Sequence, residues 1–580
     1  MWFRRSGRSG AVRGLGVIAA VSTAVVASSA TVSGASEDDA ARQASAAVSE
    51  EYVVSFSGTA EAATAAIEAA GGTVESLTPE VGAALVTSTN GAFVDDVQAQ
   101  DQIRGAARNH SVGTTRPGMP HRFAVERPSS GELADESRPG SAEHSPGTGP
   151  SAEPLADRQW NMAMIGATPD AAHRRATGTG VEVGIIDTGI DASHPDLAPN
   201  FDAERSRNFV TDIPEIDGPC EVASCVDPAD VDDGGHGTHV AGIVAAADNG
   251  FGIAGVAPDA TLVNVRAAQD SGYFFLYETV RALVYAGDAR LDVVNMSFYT
   301  DPWLYNCGSR GEYLEGTVTD EELTQQRLIR ELVLGAVAYA HSMGVTLVGS
   351  AGNQFENLAA PTRVDETSPN YPPESARPRT VARTCLNLPS EAPQVISVSA
   401  VGPSTTKADY SSYGFGDVEI AAPGGWFRDL VGTPAYQTPG NLVLSSYPLH
   451  VAIARELADP NGDPVDEFSV RYCDENGVCG FYTYLQGTSM ASPHVAGVAA
   501  LIIEAMGHPT GDGGRALDPA VVAAVLAGSA QDHPCPAGGV EDYTDEGRTP
   551  NYNAVCEGTT ELNGLYGEGI VDAAAAVGGH

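Results

Sequence analysis

Basic residues are scarce in this sequence. Its 580 residues include 32 Lys and Arg against 75 Asp and Glu, which gives a formal net charge of −43. Nucleic acids and anionic membranes both need a basic surface on the protein that binds them. The composition therefore argues against both partners and favours a highly soluble protein with an acidic, solvated surface.

Long apolar runs are also missing. A membrane-spanning helix needs about 20 consecutive apolar residues, and no such stretch occurs in the chain. Residues 1–35 instead have the pattern of an export signal, with Arg4 and Arg5 before the shorter apolar run 15–27 and small residues after it. We expect a secreted protein without a stable membrane anchor.

No CxxC pair stands with histidines at zinc-binding spacing among the eight cysteines. Metal ligation by cysteine is therefore not expected. In an exported chain, an even number of cysteines predicts disulfide bonds.

The N-terminal region predicts a small α+β unit at residues 51–110, followed by a flexible linker at 111–155 rich in Pro, Gly, Ser and Glu. Strand-like and helix-like runs alternate in the unit. The predicted strands are 52–56, 73–77 and 83–88, and the predicted helices are 59–70 and 93–103.

Residues 156–580 alternate between short apolar runs and amphipathic stretches. This alternation predicts a doubly wound, mainly parallel α/β sheet, whose ligands bind beyond the carboxyl ends of its strands. The predicted strands are 181–186, 262–265, 293–298, 345–349 and 395–400, and the predicted helices are 240–247, 279–289 and 329–342.

Three segments carry chemistry. Ser489 lies in Gly-Thr-Ser-Met-Ala before a small-residue helix, in which Pro493 is expected in the first turn. On its own Ser489 would be interpreted as a helix N-cap. Two further segments change that interpretation: Asp187 ends an apolar strand, and His236 follows a glycine-rich loop at the start of an Ala/Val helix. Their order along the chain is Asp, His, Ser.

Together these segments resemble the motifs of subtilisin-like serine peptidases, over residues 158–578. The resemblance implies that Ser489 is the nucleophile, His236 the general base and Asp187 the group that orients the imidazole. It also implies that the Asn353 side chain and the Ser489 backbone N–H stabilise the oxyanion. Residues 51–110 resemble the propeptide inhibitor domain of the family, so the chain's own propeptide is an expected partner.

In the family, the bound peptide pairs with a strand edge that corresponds here to Ser297, Phe298 and Tyr299. Gly352 allows the backbone of this protein to approach the substrate closely. A small residue is usual where Tyr299 stands. We therefore expect a narrowed pocket.

No cofactor is expected for the chemistry, but the resemblance suggests a structural Ca²⁺ site in the loop after the His236 helix. The implied ligands come from Ala247, Asn249, Phe251 and Ile253, with a carboxylate from Asp196. Asp157 and Gln159 are alternatives for an N-terminal ligand. A glycine-rich turn without metal is an equally open interpretation.

Several stretches are insertions relative to a minimal member of the family, and most of the cysteines lie in or beside them. The insertions are 200–233, 301–328, 354–385 and 426–484. We predict pairing between neighbours, although the sequence is compatible with other pairings. The predicted pairs are Cys220–Cys225, Cys307–Cys385, Cys473–Cys479 and Cys535–Cys556.

The sequence thus predicts a secreted serine endopeptidase, made as an autoprocessed zymogen, that hydrolyses protein or peptide substrates through an acyl-enzyme. Two alternatives stay open. One is a dedicated processing peptidase for a single partner protein. The other is a catalytically silent binding protein on the same fold.

Overall fold

The computed structural model describes residues 49–109, 153–511 and 513–578, which belong to one compact unit, Ser49–His580. The predicted export signal lies outside the described residues, as does all of the predicted linker before residue 153. The two largest sheets are a small antiparallel sheet near the N-terminus and a large parallel sheet after it.

The small sheet has the strand order β2-β3-β1-β4. Thr59 caps its first helix by accepting a hydrogen bond from the backbone N–H of Ala62. The elements are β1 (Glu50–Phe56), α1 (Ala60–Ala69), β2 (Gly72–Thr78), β3 (Ala83–Ser88), α2 (Phe93–Gln98) and β4 (Ile103–Arg108).

The predicted helix over 93–103 is too long. The helix ends at Gln98, and Ile103 begins a strand that pairs antiparallel with β1. Ala106 and Ala107 are buried in this strand. The short sequence between Ile103 and Arg108 has weak intrinsic strand preference, so its conformation is determined by pairing with β1 rather than by local sequence.

The rest of the described chain forms the predicted doubly wound unit. In chain order its elements are α3 (Trp160–Met164), β5 (Glu182–Ile186), β6 (Arg207–Asn208), α4 (Pro214–Asp217), α5 (His236–Ala245), β7 (Thr261–Arg266), α6 (Leu276–Asp288), β8 (Val293–Met296), β9 (Tyr313–Glu315), α7 (Asp320–Ser342), β10 (Thr346–Ser350), β11 (Thr362–Asp365), β12 (Arg379–Ala382), β13 (Val395–Val401), β14 (Ile420–Pro423), β15 (Val443–Ser446), α8 (Leu449–Ala454), β16 (Ser469–Cys473), β17 (Cys479–Leu485), α9 (Thr488–Met506), β18 (His508–Pro509), β19 (Arg515–Ala516), α10 (Pro519–Ser529), β20 (Val540–Glu541), β21 (Ala554–Val555) and α11 (Ala573–Ala576).

Seven parallel strands make the central sheet, in the order β14-β13-β10-β8-β5-β7-β6. Strands β8, β10 and β13 are buried along their whole length because helices cover both faces. Helices α6 and α7 pack on one face, and α5 and α9 pack on the other. The sheet therefore confirms the predicted fold class.

Among the described residues, only helix α9 is long and apolar enough to cross a membrane. Its residues from Thr488 to Ile503 are all buried inside the protein. A core helix passes the same test of length and composition, so α9 is explained by its position between the sheet and the neighbouring helices.

The insertions contribute secondary structure of their own. Strands β9, β11 and β12 form a separate antiparallel sheet, and β15, β16 and β17 form another. All four predicted cysteine pairs are confirmed, with S–S distances between 2.03 and 2.09 Å.

The small sheet packs on helices α6 and α7. Val81 and Leu85 contact the apolar cluster that contains Leu328, and Thr78 Oγ1 donates a hydrogen bond to the hydroxyl of Tyr277 at 3.2 Å. Asn109, the last described residue of this segment, accepts a hydrogen bond through Oδ1 from the Tyr277 backbone N–H at 3.2 Å, near the N-terminus of α6.

The same interface contains ion pairs. Arg104 Nε lies 3.0 Å from Glu331 Oε1 on α7, and Arg108 pairs with Glu321 on the same helix. These arginines are the only basic residues in the described segment 49–109. Both therefore pair with glutamates of the helix on which the small sheet lies.

Candidate active site

Asp187 and His236 meet at the carboxyl edge of the central sheet. Strand β5 ends at Ile186, which places the fully buried Asp187 immediately beyond it. Oδ1 of Asp187 lies 2.8 Å from Nδ1 of His236 and also accepts a hydrogen bond from the Thr188 backbone N–H at 2.7 Å. Because an ionised carboxylate only accepts, the His236 proton lies on Nδ1 and Nε2 is left as the basic nitrogen.

Asp232 holds the loop that delivers His236 to this position. Its Oδ1 accepts hydrogen bonds from the N–H groups of Gly234 and Gly235, at 3.0 and 2.7 Å. Its Oδ2 accepts from the N–H and hydroxyl of Thr238, at 2.9 and 2.6 Å. Asp232 was not predicted, because it lies four residues before the helix and so outside the N-cap position, which Gly235 occupies.

Close packing between helix α5 and strand β5 requires a glycine at position 237. A Cβ atom there would lie 2.2 Å from the carbonyl oxygen of Gly189 and 3.0 Å from Cβ of Asp187. The helix can therefore approach the strand closely enough for His236 to reach the carboxylate.

Ser489 is the second residue of α9 and is 5% exposed. The helix begins at Thr488, so Pro493 lies in its second turn and not in the first turn as predicted. A proline inside a helix lacks the N–H that would bond to the carbonyl four residues earlier, here that of Ser489. Oγ of Ser297 replaces it, donating to the Ser489 carbonyl oxygen at 3.0 Å.

This contact ties the start of α9 to the strand beside the one that carries Asp187. Strands β5 and β8 are neighbours, with Ile186 opposite Met296, so Asp187 and Ser297 leave the sheet side by side, about 4.8 Å apart. Ser297, which holds the backbone of the predicted nucleophile, is thus one strand spacing from the predicted triad aspartate.

Asn353 follows strand β10 and faces the start of α9. Its Oδ1 accepts hydrogen bonds from the Thr488 N–H and the Thr488 hydroxyl, both at 2.9 Å. Within the described parts of the chain, neither Asn353 Nδ2 nor the Ser489 N–H donates to an acceptor. The site therefore has two unused N–H donors beside the serine, which is the arrangement that stabilises a developing oxyanion.

The predicted substrate edge is closely packed. Phe298 is 4% exposed and stacks on Phe274 with ring centroids 3.9 Å apart. The hydroxyl of Tyr299 accepts a hydrogen bond from Asn370 Nδ2 at 2.9 Å, which fixes this half-buried ring. Gly352 has a φ of 103°, and a Cβ there would lie 2.7 Å from Gln354 Oε1, so this turn requires glycine.

Two further histidines near the site have structural partners. Nε2 of His239 lies 3.0 Å from the carbonyl oxygen of Thr483, and burial lowers the pKa of His239 to about 3. Nδ1 of His494 lies 2.7 Å from the carbonyl oxygen of Met490, and burial lowers the pKa of His494 to about 4. Neither side chain is suited to serve as a base near neutral pH.

The loop after α5 packs against a buried carboxylate, that of Asp196. Oδ2 of Asp196 accepts hydrogen bonds from the Tyr482 hydroxyl (2.8 Å) and the Ile253 N–H (3.2 Å). Oδ1 of the same buried side chain has no hydrogen-bond partner among the described residues. Burial raises the pKa of Asp196 to about 7. An orphaned carboxylate oxygen in a buried loop fits a hard cation.

The other predicted calcium ligands differ in whether their oxygen atoms are free to bind an ion. Oδ1 of Asn249 accepts from the Phe251 N–H at 2.9 Å and so is turned into its own loop. At the N-terminal side, Gln159 makes hydrogen bonds to both backbone groups of Ala254. Glu153, at the end of the predicted linker, accepts from the Gly250 N–H at 2.7 Å, and burial with neighbouring Asp248 raises its pKa to about 8. Glu153 and Asp196 are therefore the acidic groups that would hold an ion here.

Comparison with known proteins identifies the family. The Subtilase family model matches residues 178–569. Subtilisin DY of Bacillus licheniformis is 29% identical over 326 residues, covering 56% of this chain and 77% of that protein. Thermitase of Thermoactinomyces vulgaris is 28% identical over 328 residues, covering 56% and 76%.

Solved structures show the same fold. The epidermin leader peptide processing serine protease of Staphylococcus aureus superposes with a TM-score of 0.57 at 18% identity, over 91% of this chain and 98% of that one. Fervidolysin of Fervidobacterium pennivorans, a keratinolytic enzyme, gives a TM-score of 0.53 at 22% identity, over 92% and 61%. The chain belongs to the subtilase family and is a subtilisin-like serine peptidase.

Proposed function

We propose that this protein is an exported serine endopeptidase whose catalytic residues are Asp187, His236 and Ser489. The observation that carries the proposal is the 2.8 Å hydrogen bond between Asp187 and His236, beside the strand whose Ser297 holds the Ser489 carbonyl. The acidic surface implied by the net charge of −43 agrees with a soluble exported protein.

In the proposed mechanism, Nε2 of His236 accepts the proton of the Ser489 hydroxyl while Oγ attacks the carbonyl carbon of the scissile peptide bond. The tetrahedral oxyanion accepts hydrogen bonds from Asn353 Nδ2 and the Ser489 N–H. Asp187 stabilises the imidazolium that forms.

Collapse of this intermediate breaks the C–N bond. The imidazolium gives its proton to the leaving amine, and an acyl-enzyme on Ser489 remains. Water, deprotonated by the same imidazole, then attacks the ester and releases the acid product, which restores the serine hydroxyl.

Active-site labelling tests the assignment. A fluorophosphonate probe is expected to label Ser489 in the processed protein and to leave Ser489→Ala unlabelled. His236→Ala should lose nearly all labelling and turnover. Asp187→Asn should lose nearly all turnover. Because His236 must be neutral to act as a base, activity should fall as the pH drops through the imidazole range, roughly 6–7. Full peptidase activity in Ser489→Ala would contradict the proposal.

We further propose that residues 51–110 inhibit the enzyme until they are cut away. The support is their docking on α6 and α7, through Arg104 and Arg108 on one side and Asn109 at the start of α6. A tethered inhibitor acts at a high effective concentration, so the unprocessed chain should be inactive.

A dedicated processing peptidase is the second candidate function. The closely packed edge formed by Phe274, Phe298 and Tyr299 favours it, because bulky fixed side chains restrict which substrates enter. The S. aureus protein with a similar fold is named as a leader-peptide processing protease. Digestion of casein compared with a panel of defined peptides separates the two: a general endopeptidase cuts casein at many sites, and a processing enzyme cuts few.

A further inference from the structure

The loop before His236 has a second hold besides Asp232. Oδ1 of the next residue, Asp233, lies 2.9 Å from Nε2 of His450 in helix α8. Because an ionised carboxylate only accepts, the imidazole donates this hydrogen bond. His450 belongs to the predicted insertion 426–484 and lies 217 positions after Asp233 in the chain. A distant segment of the chain therefore contacts the loop that carries the proposed general base.

The same insertion packs an aromatic ring against this loop. Gly235 is the N-cap of helix α5 and has a φ of 83°. A Cβ atom there would lie 2.6 Å from Cζ of Tyr447, so the Tyr447 ring lies directly against the Gly235 backbone. Tyr447 is buried, and its hydroxyl accepts a hydrogen bond from Arg455 Nη1 at 2.9 Å. Because Gly235 immediately precedes His236, this ring limits how far the first turn of α5 can move.

Helix α8 is fixed to the same part of the protein. Val451 packs in a small apolar cluster with Tyr447 and Phe481. The Tyr447 N–H donates a hydrogen bond to the Phe481 carbonyl oxygen at 2.9 Å, which joins this cluster to strand β17. In strand β15, Ser445 Oγ donates to the His239 carbonyl oxygen of helix α5 at 2.7 Å. The insertion and the histidine helix are therefore in direct contact at several points.

The charges around His450 favour its protonated form. The hydrogen bond with Asp233 raises the pKa of His450, and the negative charges of Asp191 and Asp232 act in the same direction, against partial burial. The His450 side chain is 51% exposed, and ion pairs at exposed positions add little to global stability. The pair is therefore better explained by the position that it gives to the loop than by the stability of the fold.

We propose that His450 is a positioning residue for His236 and that it acts through Asp233. The inference rests on the proposed function, in which His236 takes the proton of the Ser489 hydroxyl. Asp232 fixes the loop through backbone hydrogen bonds, and His450 fixes it from the insertion. A misplacement of about 1 Å can lower a rate by about 10², so this hold matters for turnover even where the fold is unaffected.

Kinetics of the processed protein tests the proposal. Wild type is compared with His450→Ala, His450→Gln and Asp233→Asn. His508→Ala is the matched control, because His508 is also exposed and lies just after the C-terminal end of helix α9. Steady-state kinetics on one peptide substrate gives kcat and KM, and a fluorophosphonate probe gives the rate at which Ser489 is labelled.

His450→Ala and Asp233→Asn are expected to lower both kcat and the labelling rate by about tenfold, within the cost of a misplacement of about 1 Å. KM should change little, because His450 acts on the loop and not on the bound substrate. His450→Gln keeps an N–H donor and should recover most of the loss. His508→Ala should match wild type.

The double variant His450→Ala/Asp233→Asn shows whether the two residues act as one unit. Residues in one hydrogen-bonded pair have non-additive effects, so its loss should be no larger than that of either single variant. Hydrogen exchange adds a readout that needs no activity. In the full-length Ser489→Ala chain, His450→Ala should speed amide exchange over residues 233–239, because local opening increases when a contact is lost. His508→Ala should leave this exchange unchanged.

Equal kcat and labelling rate in His450→Ala, His508→Ala and wild type would overturn the proposal. Fully additive losses in the double variant would do the same, since His450 would then act by a route other than Asp233. Unchanged amide exchange in His450→Ala would also overturn it, because the side chain would not hold the loop. A wild type that the probe does not label contradicts the proposed function instead, and the exchange measurement still decides whether His450 holds the loop.

Discussion

Oγ of Ser297 donates a hydrogen bond to the backbone carbonyl oxygen of Ser489 at 3.0 Å, in place of the N–H that Pro493 lacks. Ser297 Oγ also lies 2.9 Å from the hydroxyl of Ser492. The residue therefore anchors the first turn of α9 to the edge of the sheet where Asp187 leaves it. It acts by positioning the nucleophile and not by contact with the reacting atoms.

Replacing Ser297 with alanine should leave this buried carbonyl without a donor. An unsatisfied buried polar group costs about 1–3 kcal/mol, so the thermal midpoint of Ser297→Ala should fall in a chain that also carries Ser489→Ala. In the active enzyme we expect kcat to fall and KM to change little. Ser297→Thr, which keeps the hydroxyl, should recover most of kcat. Equal kcat in Ser297→Ala and wild type would show that the anchor is not needed.

Asn353 offers a cleaner separation of roles. Asn353→Asp keeps an oxygen to accept from Thr488 and removes the Nδ2 donor, while Asn353→Ala removes both. Loss of one oxyanion donor typically lowers kcat by about 10²–10³, and we expect both variants to show a loss of this size with little change in KM. Steady-state kinetics on one peptide substrate measures kcat and KM for both variants. A kcat for Asn353→Asp within threefold of wild type would remove Asn353 from the oxyanion site.

Specificity should depend on Tyr299. Its ring is fixed by Asn370 and stands where the family usually has a small residue, so substrates with small or medium residues before the scissile bond should be preferred. Tyr299→Gly should broaden acceptance toward aromatic residues. Cleavage of a peptide library by both enzymes, identified by mass spectrometry, measures this preference. If the wild type cleaves best after Phe or Tyr, Tyr299 is not the wall of that pocket.

Calcium removal should destabilise the enzyme through the loop after α5. An ion that binds only the folded state stabilises it by about 2.7 kcal/mol when its concentration is 100 times Kd. A chelator should therefore lower the thermal midpoint of Ser489→Ala, and Asp196→Asn should reduce that response. The control variant Glu204→Gln changes an exposed residue of the insertion 200–233. Its response to the chelator should match that of the parent. An equal response to the chelator in parent and Asp196→Asn would leave this loop as an ordinary turn.

The contact between Asp187 and His236 could be predicted from the sequence. Asp187 lies at the carboxyl end of its strand and pairs with His236, because the topology of a parallel sheet brings strand ends together. All four cysteine pairs were also predicted by pairing neighbours along the chain, over separations from 5 to 78 residues.

Long-range pairing explains the strand that was not predicted, and an unused local signal explains the early start of helix α7. Strand β4 forms because β1 offers it a partner. Helix α7 begins at Asp320, nine residues before the predicted start, because its polar first turns show no apolar period. The reciprocal hydrogen bonds between Thr319 and Glu322 mark that start and form a sequence signal that could have been used. Glu153 lies in a segment whose composition predicted a linker, so only its burial in the fold identifies it.

Maturation of the full chain tests the central claim most directly. The wild-type chain and Ser489→Ala are expressed in a host that lacks other extracellular peptidases, and each product is analysed by intact mass and N-terminal sequencing. We predict that wild type is cut between Ala107 and Gln159 and becomes active, while Ser489→Ala stays uncut until active enzyme is added. If Ser489→Ala matures unaided to the same N-terminus, the protein does not process itself.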